Sequence, residues 1–230
     1  MSTQITLYGS SLTPYTIKVE RALHWKGLQF TLEEPKSAED YRRWSPKNGL
    51  LPVIELDGAR VQDSAAILDL LEQRFPEPTL LSSDPKLARE QRQLEQWVGE
   101  TFFYHLFRWV RSRVADVAEP QAGEALGPMM RLGLIGPNGK LRDEVFDASR
   151  DGPGPDFDGA LIELGKLLGA RSFYFADRLS RADLAVFAAL HGLVHDRYPG
   201  GARLLRGHPT LWRHSERVEA ATRRNGAAEP

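Results

Sequence analysis

Apolar and polar residues alternate through Gln4-Ile5-Thr6-Leu7-Tyr8-Gly9, the period-two pattern of a short strand that stops at a glycine. From Pro14 the spacing changes to that of an amphipathic helix running to about Leu23. Pro14 suits its first position, because a proline has no N–H to leave unpaired there and its φ already matches a helix. Leu28 to Glu33 reads as a second strand, which makes a βαβ start. A short helical or irregular piece spans Ala38 to Trp44. Leu50 to Gln62 reads as two strands around Asp57-Gly58, a strong hairpin signal. Ser64 to Arg74 is a helix with Ala65, Ile67, Leu68 and Leu71 on its apolar face. The order is β-α-β-(α)-β-β-α.

The segment from Pro76 to Pro85 is rich in proline, serine and threonine, and beyond it strand patterns nearly vanish. A long helix is expected from Asp84 to about Arg113, with Leu87, Leu94, Trp97, Val98 and Tyr104 among its apolar or aromatic positions; Gly99, a poor helix former, detracts slightly from the pattern. Residues 119–158 carry many glycines and prolines and predict loops with one short helix. Helical spacing resumes from Phe157 to Leu168. At Leu179-Ser180-Arg181-Ala182-Asp183-Leu184 the pattern is a capping box with a hydrophobic staple, and the helix behind it is apolar nearly all round, so it is buried. A last helix spans about Pro209 to Arg223, and the tail 225–230 is expected to be disordered. The fold class is therefore an α/β domain followed by an all-α domain. The expected limits are 1–78 for the first, 79–85 for the linker and 86–224 for the second.

A formal net charge of -1 over 230 residues offers no global basic field for nucleic acid or an anionic membrane. No apolar run is long enough to span a bilayer and the N-terminus lacks the pattern of a secretory signal, so a cytoplasmic location is expected. The chain contains no cysteine, hence no disulfide, no thiolate metal site and no thiol nucleophile. His191 and His195 stand four apart, but without a third ligand at suitable spacing they read as ordinary helix residues, and no metal is expected. There is no G-x-S-x-G elbow and no phosphate-binding glycine loop.

The hydroxyl-rich corner Ser10-Ser11-Leu12-Thr13 then stands out. It runs from a strand into a helix start, where unpaired N–H groups and the positive end of the helix dipole stabilise an anion. Thr13 either caps the helix or lends its hydroxyl to such an anion. Ser11 and Ser10 are further donors on the same loop, whereas Tyr8 reads as strand core.

Four motifs in this order resemble the soluble glutathione transferase family, in a serine-type-like branch with threonine at the reactive position. They are Thr13-Pro14-Tyr15-Thr16, Ser45 to Ile54, Asp63-Ser64-Ala65-Ala66-Ile67 and Ser180-Arg181-Ala182-Asp183. The resemblance covers about residues 5 to 220 and implies a thioredoxin-like first domain, a helical second domain and a homodimer. It implies glutathione as co-substrate and attack by its sulfur on a small hydrophobic electrophile. Thr13 would then stabilise the thiolate, with Ser11 in reserve. Ser10, Leu50, Leu51, Pro52, Asp63 and Ser64 would contact glutathione: Leu51 through its backbone before a cis proline, Asp63 at the ammonium and Ser64 at the γ-glutamyl carboxylate. Alternatively, Pro52 merely opens an edge strand, and Asp63 and Ser64 merely cap a helix.

Leu50 departs from the family, which often has lysine or glutamine there for the glycyl carboxylate; Lys36, Arg43 and Lys47 are possible substitutes. The electrophile pocket implied by the resemblance includes Tyr104, Phe107, Arg108 and Arg111, although the first two also fit a core and the arginines a solvated face. The absence of cysteine disfavours the branch that works through a glutathionyl-cysteine intermediate. A glutathione-dependent isomerase of the maleylacetoacetate type and a non-catalytic ligand- or protein-binding relative are the alternative functions.

Overall fold

The structure is a computed structural model and describes residues 4–115, 157–175, 177–198 and 200–223. Four strands, β1 (Ile5–Tyr8), β2 (Thr31–Glu33), β3 (Val53–Leu56) and β4 (Ala59–Gln62), form one sheet in the order β2-β1-β3-β4. The first pair is parallel and the other two are antiparallel. Helix α1 (Pro14–Trp25) makes the crossover from β1 to β2. It stops at Gly27, in the left-handed region, and the Leu28 N–H closes back on the Leu23 carbonyl at 3.0 Å. That closure uses the residues expected to open the second strand, so β2 is only three residues long. Asp57 and Gly58, both at positive φ, form the hairpin turn the sequence predicts. Helices α2 (Ala38–Trp44) and α3 (Ser64–Arg74) complete the first unit.

After α3, residues 75–84 contain neither helix nor strand. The expected long helix is broken into α4 (Pro85–Trp97), a wide π turn over Val98–Phe102, and α5 (Phe103–Ala115). The glycine-containing segment Val98-Gly99-Glu100 is where the ladder slips by one residue, and the Phe103 N–H reaches the Val98 carbonyl. Then come α6 (Phe157–Leu168), α7 (Arg181–Val194), α8 (Gly201–Arg206) and α9 (Pro209–Ala221). Most of the segment 119–158 and the tail 225–230 lie outside the described residues.

Helix α7 explains its own composition. Its Leu184, Phe187 and Ala188 pack with Ile17, Leu23, Ile67 and Leu71 of the first unit, while Ala185, Val186, Ala189 and Leu190 pack with Phe102, Leu106 and Leu161 of the second. A helix that serves two cores must be apolar on both sides. At its start the Asp183 carboxylate accepts from the Ser180 N–H at 3.0 Å and hydroxyl at 2.6 Å. Its other oxygen accepts from the Tyr174 N–H and the buried His214 Nε2, both at 2.9 Å.

The same seam holds a buried ion network. Glu95 on α4, 4% exposed, takes Lys18 Nζ of α1 at 2.7 Å and Arg181 Nε of α7. Arg181, 1% exposed, also reaches Asp69 of α3 and the Ala65 carbonyl, and Arg92 meets Asp69 at 2.6 Å. The two units are thus tied through charges as well as through packing. Among the described residues no helix is long and apolar enough to cross a membrane.

Candidate active site

The sheet register assembles the site. Tyr8 on β1 pairs with Val53 on β3, which pairs with Gln62 on β4. Three chain reversals therefore meet at one end of the sheet: the Ser10–Thr13 loop after β1, Leu51-Pro52 before β3, and Asp63-Ser64 after β4. Adjacent strands lie about 4.8 Å apart, so the outer two of these are separated by about 10 Å, the length of three extended residues.

At the first reversal, Gly9 leaves room for Thr16: a Cβ there would lie 2.4 Å from the Thr16 hydroxyl oxygen. Thr13 is the N-cap residue of α1, yet its side chain caps no helix N–H. Its Oγ1 lies 3.0 Å from the Ser10 carbonyl and 2.8 Å from Thr16 Oγ1. Thr16 is fully buried, and among the described residues Thr13 is the one partner of its hydroxyl. The assignment that satisfies both groups has Thr16 donating to Thr13 and Thr13 donating to the Ser10 carbonyl. Plain capping, one of the two roles expected for Thr13, is thus not what its side chain does.

The other loop groups are largely engaged. The Thr13 N–H meets the Ser10 carbonyl at 2.9 Å, the Leu12 N–H meets Ser10 Oγ at 3.3 Å, and the Ser11 N–H is taken by Glu34 at 2.7 Å. Ser10 itself is buried. The Ser11 hydroxyl has no partner among the described residues and is half-buried at the corner. Tyr8, expected as strand core, is half-buried instead, because it alternates with the buried Ile5 and Leu7 on the other face of β1; its phenol reaches Glu55 and its ring lies 4.9 Å from Trp44.

At the second reversal the Leu51-Pro52 bond is cis, as the resemblance implied. Among the described residues neither the N–H nor the C=O of Leu51 has a hydrogen-bond partner, so a strand-like ligand could pair there. Leu50 is 37% exposed, its N–H held by Asn48 at 3.0 Å and its carbonyl by Gln62 at 3.0 Å. Of the basic residues suggested in its place, Arg43 is paired with Asp40 at 2.8 Å, while Lys36 and Lys47 are exposed.

At the third reversal Asp63 sits at φ 80, ψ 127, a conformation that costs a non-glycine residue of order 1–3 kcal/mol. Its carboxylate caps α3 at the N–H groups of Ala65 (2.9 Å) and Ala66 (3.0 Å). The Ser64 hydroxyl, on a residue 4% exposed, has no partner among the described residues. The capping role falls to Asp63 alone, leaving Ser64 as a donor beside the helix N-terminus.

The helical unit closes the corner from above. The Tyr15 hydroxyl donates to the Gly99 carbonyl in the π turn at 2.9 Å, and its ring meets Phe103 edge-on at 4.9 Å. Tyr104, next along α5, is half-buried and covered by Arg108, whose guanidinium lies 5.6 Å from the ring centroid. The side chains of Phe107 and Arg111 lie outside the described residues. From the far side Arg197 Nη1 donates to the Ser11 carbonyl at 3.3 Å. Neither Thr16 nor Arg197 was singled out by the sequence reading; the first lies in the quoted Thr-Pro-Tyr-Thr motif, the second in a loop with no pattern to mark it.

The comparisons agree with this architecture. Residues 7–79 match the family model for the glutathione S-transferase N-terminal domain, and residues 149–217 match that for its C-terminal domain. The chain is 27% identical over 237 residues to Failed axon connections of Drosophila melanogaster, an alignment covering 91% of this chain and 54% of that protein, so it spans about half of that relative's length. It is 31% identical over 214 residues to LigF of Sphingobium sp., covering 86% of this chain and 80% of LigF. The solved β-etherase LigF superposes with a TM-score of 0.67 at 21% identity over 96% of both chains, which speaks to the fold. A glutathione S-transferase of Methylobacterium radiotolerans, solved with glutathione sulfonate, is 26% identical with a TM-score of 0.64 over 94% of this chain and 91% of that one. With both domain models matched in order and LigF aligned along most of each chain, the protein belongs to the glutathione S-transferase family.

Proposed function

We propose that the protein is a glutathione transferase that activates the glutathione thiol for attack on a small electrophile. The observation that carries this reading is the meeting of three ligand-ready groups at one sheet end: the hydroxyl corner, the unpaired Leu51 peptide and the Ser64 hydroxyl, spread over a tripeptide's length. In this reading Leu51 pairs with the cysteinyl backbone and Ser64 with the γ-glutamyl carboxylate, while Asp63, holding the helix, faces the ammonium.

A free thiol has a pKa near 8.5, and lowering it by about two units needs roughly 2.7 kcal/mol in favour of the thiolate. A hydroxyl donated to a charged acceptor supplies about 1.5–3 kcal/mol and a helix N-terminus about 0.3–1 more. Thr13 provides the first by turning its proton from the Ser10 carbonyl to the sulfur, while Thr16 continues to donate to Thr13 Oγ1 and so makes Thr13 the better donor. The thiol proton passes to water, the sulfur electron pair then forms the new C–S bond, and the leaving group departs with its own pair. Tyr15 and Phe103, in edge-on contact, lie beside the start of α1.

A second reading, binding without turnover, is favoured by one feature: the Thr13 hydroxyl already has an acceptor in the Ser10 carbonyl. Calorimetric titration with reduced glutathione tests the first step. Binding that weakens about tenfold in Ser64→Ala is the expected result; no heat at millimolar glutathione overturns the enzyme. Binding without conjugation of any electrophile selects the second reading.

A further inference from the structure

Among the described residues after α7, Arg197 is the one whose side chain hydrogen-bonds to the corner loop. Its guanidinium donates to the Ser11 carbonyl, two residues from Thr13, and it forms no ion pair with any described carboxylate. The remaining N–H groups of its planar fork therefore have no anionic partner among the described residues. Glu34, the carboxylate bonded to this loop, takes the Ser11 N–H through one oxygen and forms no ion pair with Arg197.

The backbone that carries Arg197 is built rather than loose. Its N–H is bonded to the Gly192 carbonyl at 2.9 Å, and Asp196 before it takes a left-handed φ of 50 while its carboxylate holds the Ala202 N–H. Behind it the buried Tyr198 ring lies in a notch on α7 that exists because residue 192 is glycine; a Cβ there would come within 2.4 Å of the ring. Nearby, burial first and then His195, Arg197 and Arg21 keep His191 uncharged.

The Arg197 side chain is exposed, is anchored to the corner loop by the one hydrogen bond to the Ser11 carbonyl and has no ion-pair partner among the described residues; such a guanidinium is a receptor for a carboxylate, which it can hold through two parallel N–H bonds. We infer that Arg197 selects, as the second substrate, an electrophile bearing a carboxylate close to its reactive carbon. This deepens the glutathione transferase reading and rests on it. The anionic end docks on Arg197, and the reacting carbon is thereby turned toward the sulfur held at Thr13. Arg197 is thus a specificity-determining residue on the electrophile side, distinct from the groups that hold glutathione.

The test uses two conjugates that share a three-carbon chain and differ in the terminal carboxylate, S-(2-carboxyethyl)glutathione and S-propylglutathione, with calorimetric Kd values for the full chain, Arg197→Ala and Arg197→Lys. Arg197→Ala should weaken the carboxyethyl conjugate about tenfold or more and change the propyl conjugate by less than about twofold, with Arg197→Lys between. Equal losses for both conjugates, or no change for either, overturn the inference and leave the transferase reading standing. If the unmutated chain binds neither conjugate nor glutathione, the transferase reading falls and takes this inference with it. Far-ultraviolet circular dichroism and melting of each variant identify any loss due to unfolding, and the Arg197→Lys ratio then decides.

Discussion

Arg181→Met tests how the two units are held together. The side chain is 1% exposed and satisfies three acceptors, Glu95, Asp69 and the Ala65 carbonyl, so its removal leaves each with a different deficit. Asp69 is about half exposed and retains Arg92 at 2.6 Å, so its loss is small after screening by solvent. Glu95 is 4% exposed and is left with Lys18 alone. Removing one partner from a buried ion pair costs about 3–5 kcal/mol. For a chain of this size each kcal/mol moves the melting temperature by about 2–4 °C, which puts the expected drop near 10 °C. Urea denaturation with tryptophan fluorescence reads the change directly. The control is Lys18→Met/Glu95→Leu/Arg181→Met, which removes all three buried charges and should recover much of the loss. A single variant within about 1 kcal/mol of wild type, or a triple variant less stable than the single one, would refute the reasoning.

Two further outcomes follow from α7. Burial, aided by His195, Arg197 and Arg21, pushes the His191 imidazole down to about 3. The unfolded chain takes up that proton near pH 6.5 and the folded chain does not, so this contribution is full above that pH and drains as pH falls toward 3. The loss is about 2 kcal/mol at pH 5; His191→Phe should flatten this part of the stability profile measured by urea denaturation, and an unchanged slope would contradict the assignment. Gly192→Ala should destabilise, because a steric cost of about 1–3 kcal/mol outweighs a helix-propensity gain of about 1. It should also erase the carboxylate preference assigned to Arg197; a variant as stable as wild type would show that the Tyr198 notch is unimportant.

What could be read from the chain differs by element. The hairpin around Asp57-Gly58, the proline-started helix at Thr13 and the Ser180–Asp183 box were legible because each depends on residues within a few positions of one another. The slip of the long helix at Gly99 and the shortening of β2 by the Gly27 terminator were not, since both are decided by which partner a backbone N–H finds. Glu95 and Gln91 share the buried face of α4 with Leu94, and charged or polar residues on such a stripe signal a distant partner without naming it. Likewise the candidate site residues stand in recognisable motifs, but the division of labour at Asp63-Ser64 could not be read from them. Asp63, at φ 80, caps the helix through its carboxylate, and the Ser64 hydroxyl is left without a partner among the described residues.

The most direct measurement is the pKa of the thiol of bound glutathione, followed by thiolate absorbance in the ultraviolet, in the wild-type chain and in Thr13→Val. Thr13 makes no helix cap, so the substitution removes the hydroxyl without removing a capping bond. The account predicts a bound thiol about two units below 8.5 in the wild type, a rise of about one to two units in Thr13→Val, and affinity for glutathione changed only a few-fold. A bound thiol that titrates at the same pH in both proteins would contradict it.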